Sequence, residues 1–177
     1  WKNCFEGPEA GSHEAAVSRL VSSFIASRDN TKHLVAEIGI DLPNYTVHDI
    51  EHLDALWEIA SQIAGEEYPL NPVEGYVLGC AFLVHDAGMT ISAYPGGLPE
   101  IKQTREWNRI ANNLKSRSDD EVDENWILET FIREMHARKA EKLPFVEWKS
   151  DGGVRHLIDD GDLRQRFGDF IGTVAAS

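Results

Sequence analysis

The sequence predicts an all-α fold, and three observations carry that reading. Apolar residues recur at three- and four-residue spacing through most of the 177 residues, the period of helices that bury one side. Proline and glycine fall between those segments, at Pro43, Pro72, Gly88 and Pro144. Alternating runs that would mark strands are scarce.

Each element has its own justification. Ser12 to Ser27 carries Ala16, Leu20, Val21, Phe24 and Ile25 on one stripe, opened by a Ser cap. Thr31 to Ile40 reads as a second, short helix, ended by Leu42-Pro43-Asn44. The segment Thr46 to Ala64 is helical, burying Ile50, Leu53, Leu56, Trp57 and Ala60. Asn71-Pro72 starts the next helix, with proline in the first turn where its missing N–H costs nothing. That helix is the apolar run ending in Val84-His85-Asp86.

Gly88 to Pro99 reads as a loop, Ile101 to Leu114 as a helix, and Ser116 to Glu124 as an exposed acidic stretch. Asp123 can cap a helix from Glu124 to Leu143, with Ile127, Phe131 and Met135 on one face, and Pro144 breaks it. Gly152 to Ile158 suggests a short extended piece, and Asp162 to Ala176 a last helix. There is no internal repeat.

Composition fits one domain, with N-terminal helices over 10–40 and a core over 44–177. The apolar fraction of 42% is enough to fill a single core at this length. Seventeen basic against thirty acidic residues give a net charge of −13. That argues against broad nucleic-acid binding, which needs a basic surface. It leaves room for a small phosphate-bearing ligand, because a metal ion can dominate the local field. No signal peptide, membrane span or basic amphipathic stretch is read, and two cysteines (Cys4 and Cys80) imply neither disulfides nor a zinc knuckle, so a cytoplasmic location is expected. The chain starts at Trp1 and ends in an uncapped apolar-periodic stretch, so it is expected to be a piece of a longer protein.

The chemistry concentrates in two places. His85-Asp86 ends an apolar helix, although a carboxylate is unfavourable beside a helix C-terminus. Adjacent helical residues point about 100° apart, so only a ligand over the helix end can use both. Upstream, His48 and His52 are four apart and share a helical face. His52, His85 and Asp86 together make a mixed N/O set suited to a divalent transition metal. By contrast, His13, His33 and His156 read as ordinary surface or core histidines. Arg133-Glu-Met-His136-Ala-Arg138-Lys139 has the form of a charged helix face, with Arg138 and Lys139 toward solvent.

The order of His52 followed by His85-Asp86 resembles the HD superfamily of metal-dependent phosphohydrolases, a helical-bundle fold. His52-Leu-Asp-Ala-Leu-Trp-Glu-Ile-Ala is similar to its first motif, and Ala81-Phe-Leu-Val-His85-Asp86-Ala-Gly88-Met89 to its second. The segments around His48, Arg133 and His136 resemble the HD modules of bacterial conflict proteins, which commonly precede an Hsp90-like ATPase domain.

The resemblance implies a divalent-metal-dependent phosphohydrolase acting on a nucleotide or other phosphoester, with that ATPase domain as partner. His52, His85 and Asp86 would be metal ligands, and Asp86 would bridge a second ion if there are two. His136 or His48 would hold the second ion or protonate the leaving group, and Arg133 would pair with phosphate oxygens. Mn, Fe, Co, Ni or Zn suits such a set better than Mg. A later Asp normally completes the first metal of this superfamily. Asp159, Asp160, Asp162 and Asp169 lack the apolar helical context expected of it, so the missing ligand is expected beyond Ser177. Two other readings compete: a non-catalytic sensor coupled to an ATPase domain, and an HD-type di-iron oxygenase.

Overall fold

The structure, a computed structural model, describes residues 2–6, 13–43, 49–65, 68–117, 121–150 and 153–177. Its helices are α1 (Lys2–Glu6), α2 (Glu14–Val35), α3 (Ile38–Asp41), α4 (Ile50–Ala64), α5 (Pro72–Val84), α6 (Gly97–Lys102), α7 (Arg105–Lys115), α8 (Glu124–Lys142) and α9 (Gly161–Ala175). One antiparallel hairpin, β1 (Trp148–Ser150) with β2 (Gly153–Arg155), pairs Trp148 with Arg155. The fold is an all-α bundle. None of the described helices is long and apolar enough to cross a membrane.

Helix α5 is the axis of the bundle, packed by α1, α2, α4 and α9. It buries Gly75, Tyr76, Gly79, Cys80, Ala81, Leu83 and Val84, which cover most of its circumference. That requires neighbours to come close. A side chain at Gly79 would put its Cβ 2.7 Å from the Trp57 ring and 2.8 Å from that of Phe24, so only glycine lets α2 and α4 meet there. Burial pushes the Cys80 thiol up to about 12 and makes it inert, as a packed hydrophobe is. A second layer forms where α8 lays Ile127, Leu128, Phe131 and Ile132 against α7 and α9.

Caps define the helix starts. Asn71 and Glu74 form a reciprocal capping box at α5, with Asn71 Oδ1 accepting from Val73 and Glu74 N–H. Asp49, Thr104, Asp123 and Asp160 cap α4, α7, α8 and α9. Charge ties the layers together: Arg19 of α2 donates to Asp160 at 2.6 and 2.7 Å and to Asp162 at 2.9 Å. Arg28 grips Asp54 of α4 in the same forked way.

Several boundaries differ from the sequence expectation. Residues 14–35 form one helix, so Thr31 does not begin another. Thr31 is buried with its hydroxyl on the Ser27 carbonyl, and Asn30 donates to the carbonyls of His156 and Leu157 instead of to its own backbone. Both residue types usually compete with a helix, and here both are satisfied without leaving it. The expected helix over 101–114 is two helices, split because Thr104 caps the second by accepting from Trp107 N–H. The expected loop over 88–99 contains a 3₁₀ turn at Ile91–Ala93 and the first turn of α6, which accommodates Pro99. The expected Ser12 cap and the start of the Thr46 helix lie outside the described residues.

Candidate metal centre

The fold delivers three donors to one point. His52 stands in the first turn of α4, its N–H fixed by the Asp49 carboxylate at 3.0 Å. His85 is the residue at which α5 ends, and Asp86 follows in the turn that leaves it. Phe82 registers the two helices: its ring meets Trp57 of α4 edge-on at 5.5 Å, while its carbonyl receives His85 Nδ1 at 2.8 Å. One donor atom from each of His52, His85 and Asp86 lies within 4.8 Å of the others. Asp86 is 7% exposed, whereas the His52 ring opens to solvent.

These distances suit a shared ion. Asp86 Oδ2 is 2.9 Å from His85 Nε2 and 3.5 Å from His52 Nε2. Two donors each roughly 2.1 Å from one ion sit about 3.0–3.4 Å apart at octahedral and tetrahedral angles. The protonation pattern points the same way. A carbonyl only accepts, so His85 Nδ1 carries the hydrogen of its bond to Phe82. A neutral His85 would then turn the bare lone pair of Nε2 toward a carboxylate oxygen. That contact is repulsive unless positive charge, a proton or a cation, stands beside it. Burial pulls the His85 pKa down, but the bond to Asp86, its charge and the Phe82 carbonyl outweigh it, so the net shift is upward. The donor set fits a divalent cation.

The turn after Asp86 is held from two sides. A Cβ on Gly88 would come 2.6 Å from the carbonyl oxygen of His136 and 3.2 Å from Lys139 Cβ, so glycine alone lets α8 close over the turn. On the other side Asp41 accepts from Thr90 Oγ1 at 2.6 Å and from Ile91 N–H at 2.7 Å, Ser92 Oγ donates to Glu37, and Trp148 donates to the Ser92 carbonyl at 2.8 Å. Sequence reasoning missed Glu37, Asp41, Thr90 and Ser92 as supports. Their partners lie about fifty residues apart, and no local pattern reports such pairs.

His136 and Arg133 sit on α8, outside the three-residue cluster. His136 is half-buried, with Nδ1 donating to the Arg133 carbonyl at 2.7 Å, which leaves Nε2 as the atom available to a ligand. Arg133 is exposed and lines a cavity of about 450 Å³ with Trp126, Glu129, Thr130 and Glu134. His48 lies outside the described residues. Arg138 is exposed as expected, but Lys139 is not: its Nζ stands 4.1 Å over the Tyr94 ring. Burial lowers the Lys139 pKa, against the opposing charge of Glu100 and together with that of Lys142. Asp159, Asp160 and Asp162 are committed to Asn30 and Arg19, away from the metal cluster.

Comparison with known families decides the kinship, since the HD-CE family model matches residues 42–177. The chain belongs to the HD-CE family. No curated protein and no solved structure matches it significantly. The HD-CE match spans His52, His85 and Asp86, and also the α8 residues His136 and Arg133.

Proposed function

We propose that this HD-CE chain is a divalent-metal-dependent phosphohydrolase acting on a nucleotide or another phosphoester, as a module of a larger bacterial signalling or defence protein with an ATPase domain as partner. The observation that carries the reading is the approach of the His85 ring to the Asp86 carboxylate at 2.9 Å with the opposite ring nitrogen spent on Phe82. A divalent cation shared by the two donors would relieve that contact, which supports the reading. When bound, a divalent ion supplies Lewis acidity, drawing electron density from a phosphoryl oxygen and from water.

The chain's own residues do the rest. His52, His85 and Asp86 hold the ion, and the Phe82 carbonyl fixes the His85 tautomer and ring plane. His136 offers Nε2 to move a proton or to hold a second ion, its ring oriented by the Arg133 carbonyl. Arg133 offers forked donors to phosphate oxygens. The donor set favours Mn, Fe, Co, Ni or Zn over Mg.

The test is to load the protein with each of these ions, measure bound metal by elemental analysis, and assay 4-nitrophenyl phosphate and nucleotides. Metal-dependent hydrolysis that disappears in His85→Ala is the expected result. Stoichiometric metal with no hydrolysis of any phosphoester would replace this reading with a regulatory one.

A further inference from the structure

The cavity on α8 has contents that the metal site does not explain. Trp126, Glu129, Arg133 and His136 follow one another at three- and four-residue spacing, so they share a face of the helix. Trp126 lies ten positions before His136, roughly 15 Å along the helix axis at 1.5 Å per residue. At the far end of this stripe the backbone of α8 touches the metal turn, where the His136 carbonyl packs on Gly88, two residues past Asp86.

Trp126 is the informative residue. Trp57 and Trp107 are buried in the core, and Trp148 donates its indole N–H to Ser92. Trp126 is 48% exposed and lines the cavity with Glu129, Thr130, Arg133 and Glu134. Glu134 is engaged by Arg109 of α7, which ties the cavity's rim to a second helix. The space of about 450 Å³ is an open groove whose described lining all comes from α8, shaped for a flat ring to lie against Trp126. An exposed indole face stacks on planar rings, and a guanidinium beside it recognises phosphate. The net charge of −13 speaks against a polymeric nucleic acid as the source of that ring.

We infer that the α8 cavity is a second binding subsite, in which Trp126 stacks on the planar aromatic group of a small phosphate-bearing ligand whose phosphates extend past Arg133 toward His52, His85 and Asp86. The inference rests on the phosphohydrolase reading for the direction of the ligand, and names its substrate class as an elongated ester with a planar ring. The ligand is bound at both ends: by charge near Asp86 and by stacking near Trp126. A compact phosphoester would use only the first.

The experiment compares two probes that share a triphosphate and differ in the nucleoside. Binding of a nucleoside triphosphate and of inorganic tripolyphosphate is measured by calorimetry on the Mn-loaded protein, its metal content confirmed by elemental analysis. Wild type should prefer the nucleotide. Trp126→Ala should lower that preference by roughly 5- to 100-fold, the usual loss when one stacked base is released. Trp126→Phe, which keeps a flat face, should restore most of it, and this rescue separates stacking from damage to α8. No preference in wild type, or the same preference in Trp126→Ala, overturns the subsite. Metal-dependent hydrolysis of 4-nitrophenyl phosphate and of nucleotides is scored separately: the absence of both alongside an intact nucleotide preference would sink the hydrolase reading and leave the subsite standing.

Discussion

Helices α5 and α8 meet at one turn, and they carry their polar side chains in opposite ways. Helix α5 is buried over most of its circumference, and its polar contribution comes where it ends, at His85 and Asp86. Helix α8 buries one face and leaves Trp126, Arg133 and Glu134 exposed on another, with His136 half-buried beside them. Donors rooted in a packed core cannot relax away, because moving them means repacking α2, α4 and α9. Side chains on an exposed stripe can rearrange around different ligands. The comparison separates a fixed half, the candidate metal donors at the end of α5, from an adaptable half, the exposed stripe of α8.

The strongest way to break this comparison is to remove the fixed half. His85→Ala or Asp86→Ala should abolish bound divalent metal while helicity by circular dichroism stays near wild type, since neither side chain fills the core. Unchanged metal in both variants would remove the site. The adaptable half should fail differently. His136→Ala is expected to keep metal on His52, His85 and Asp86 but lower hydrolytic turnover by about 10²–10⁴, the typical contribution of one positioned acid or base. Wild-type turnover would reduce His136 to its backbone contact with Gly88.

The junction of the two halves is Gly88. A Cβ there would collide with the His136 carbonyl at 2.6 Å, so Gly88→Ala must push α8 and the Asp86 turn apart. The ligands survive and their alignment does not. Metal affinity should fall about 10–100-fold, as when a ligand's outer support is lost. Titration with Mn on both proteins measures this, and equal affinity would mean that the two halves are independent.

The two helices were also unequally legible in the sequence. Pro72, the unbroken apolar run and His85-Asp86 announced α5 and its product, because core burial and a costly carboxylate at a helix end leave local marks. Thr31, Pro99 and Thr104 were each misjudged because the effect of such a residue depends on position: Thr31 is satisfied within α2, Pro99 falls in a first turn, and Thr104 caps a new helix where continuity was expected. The clamp of Asp41 on Thr90 and Ile91 was illegible, since nothing near either end names the other. Lys139 read as a solvent-facing cation and instead lies over Tyr94, a contact set by how α8 meets the turn.

The smallest effect belongs to the tie that keeps α9 on the fixed half. Asp160 caps α9 by accepting from Leu163 N–H and also pairs with Arg19 of α2. The Arg19 bond holds the Asp160 pKa below its ordinary value, partial burial opposes it, and the Leu163 N–H assists. A carboxyl with a lowered folded pKa stabilises above its unfolded value, about 3.9, and that contribution disappears as pH falls through the folded value. Asparagine caps a helix as well as aspartate does but carries no charge. Asp160→Asn should therefore lower stability slightly at pH 7, where the pair is intact, and the gap to wild type should begin to shrink below about pH 3.9, where the unfolded carboxyl takes up a proton while the native one keeps its charge. Urea unfolding at pH 7 and pH 3 reads the difference. No gap at pH 7 would show that Asp160 acts through its cap alone, which asparagine keeps, and that the charge pair with Arg19 contributes nothing to holding α9 in place.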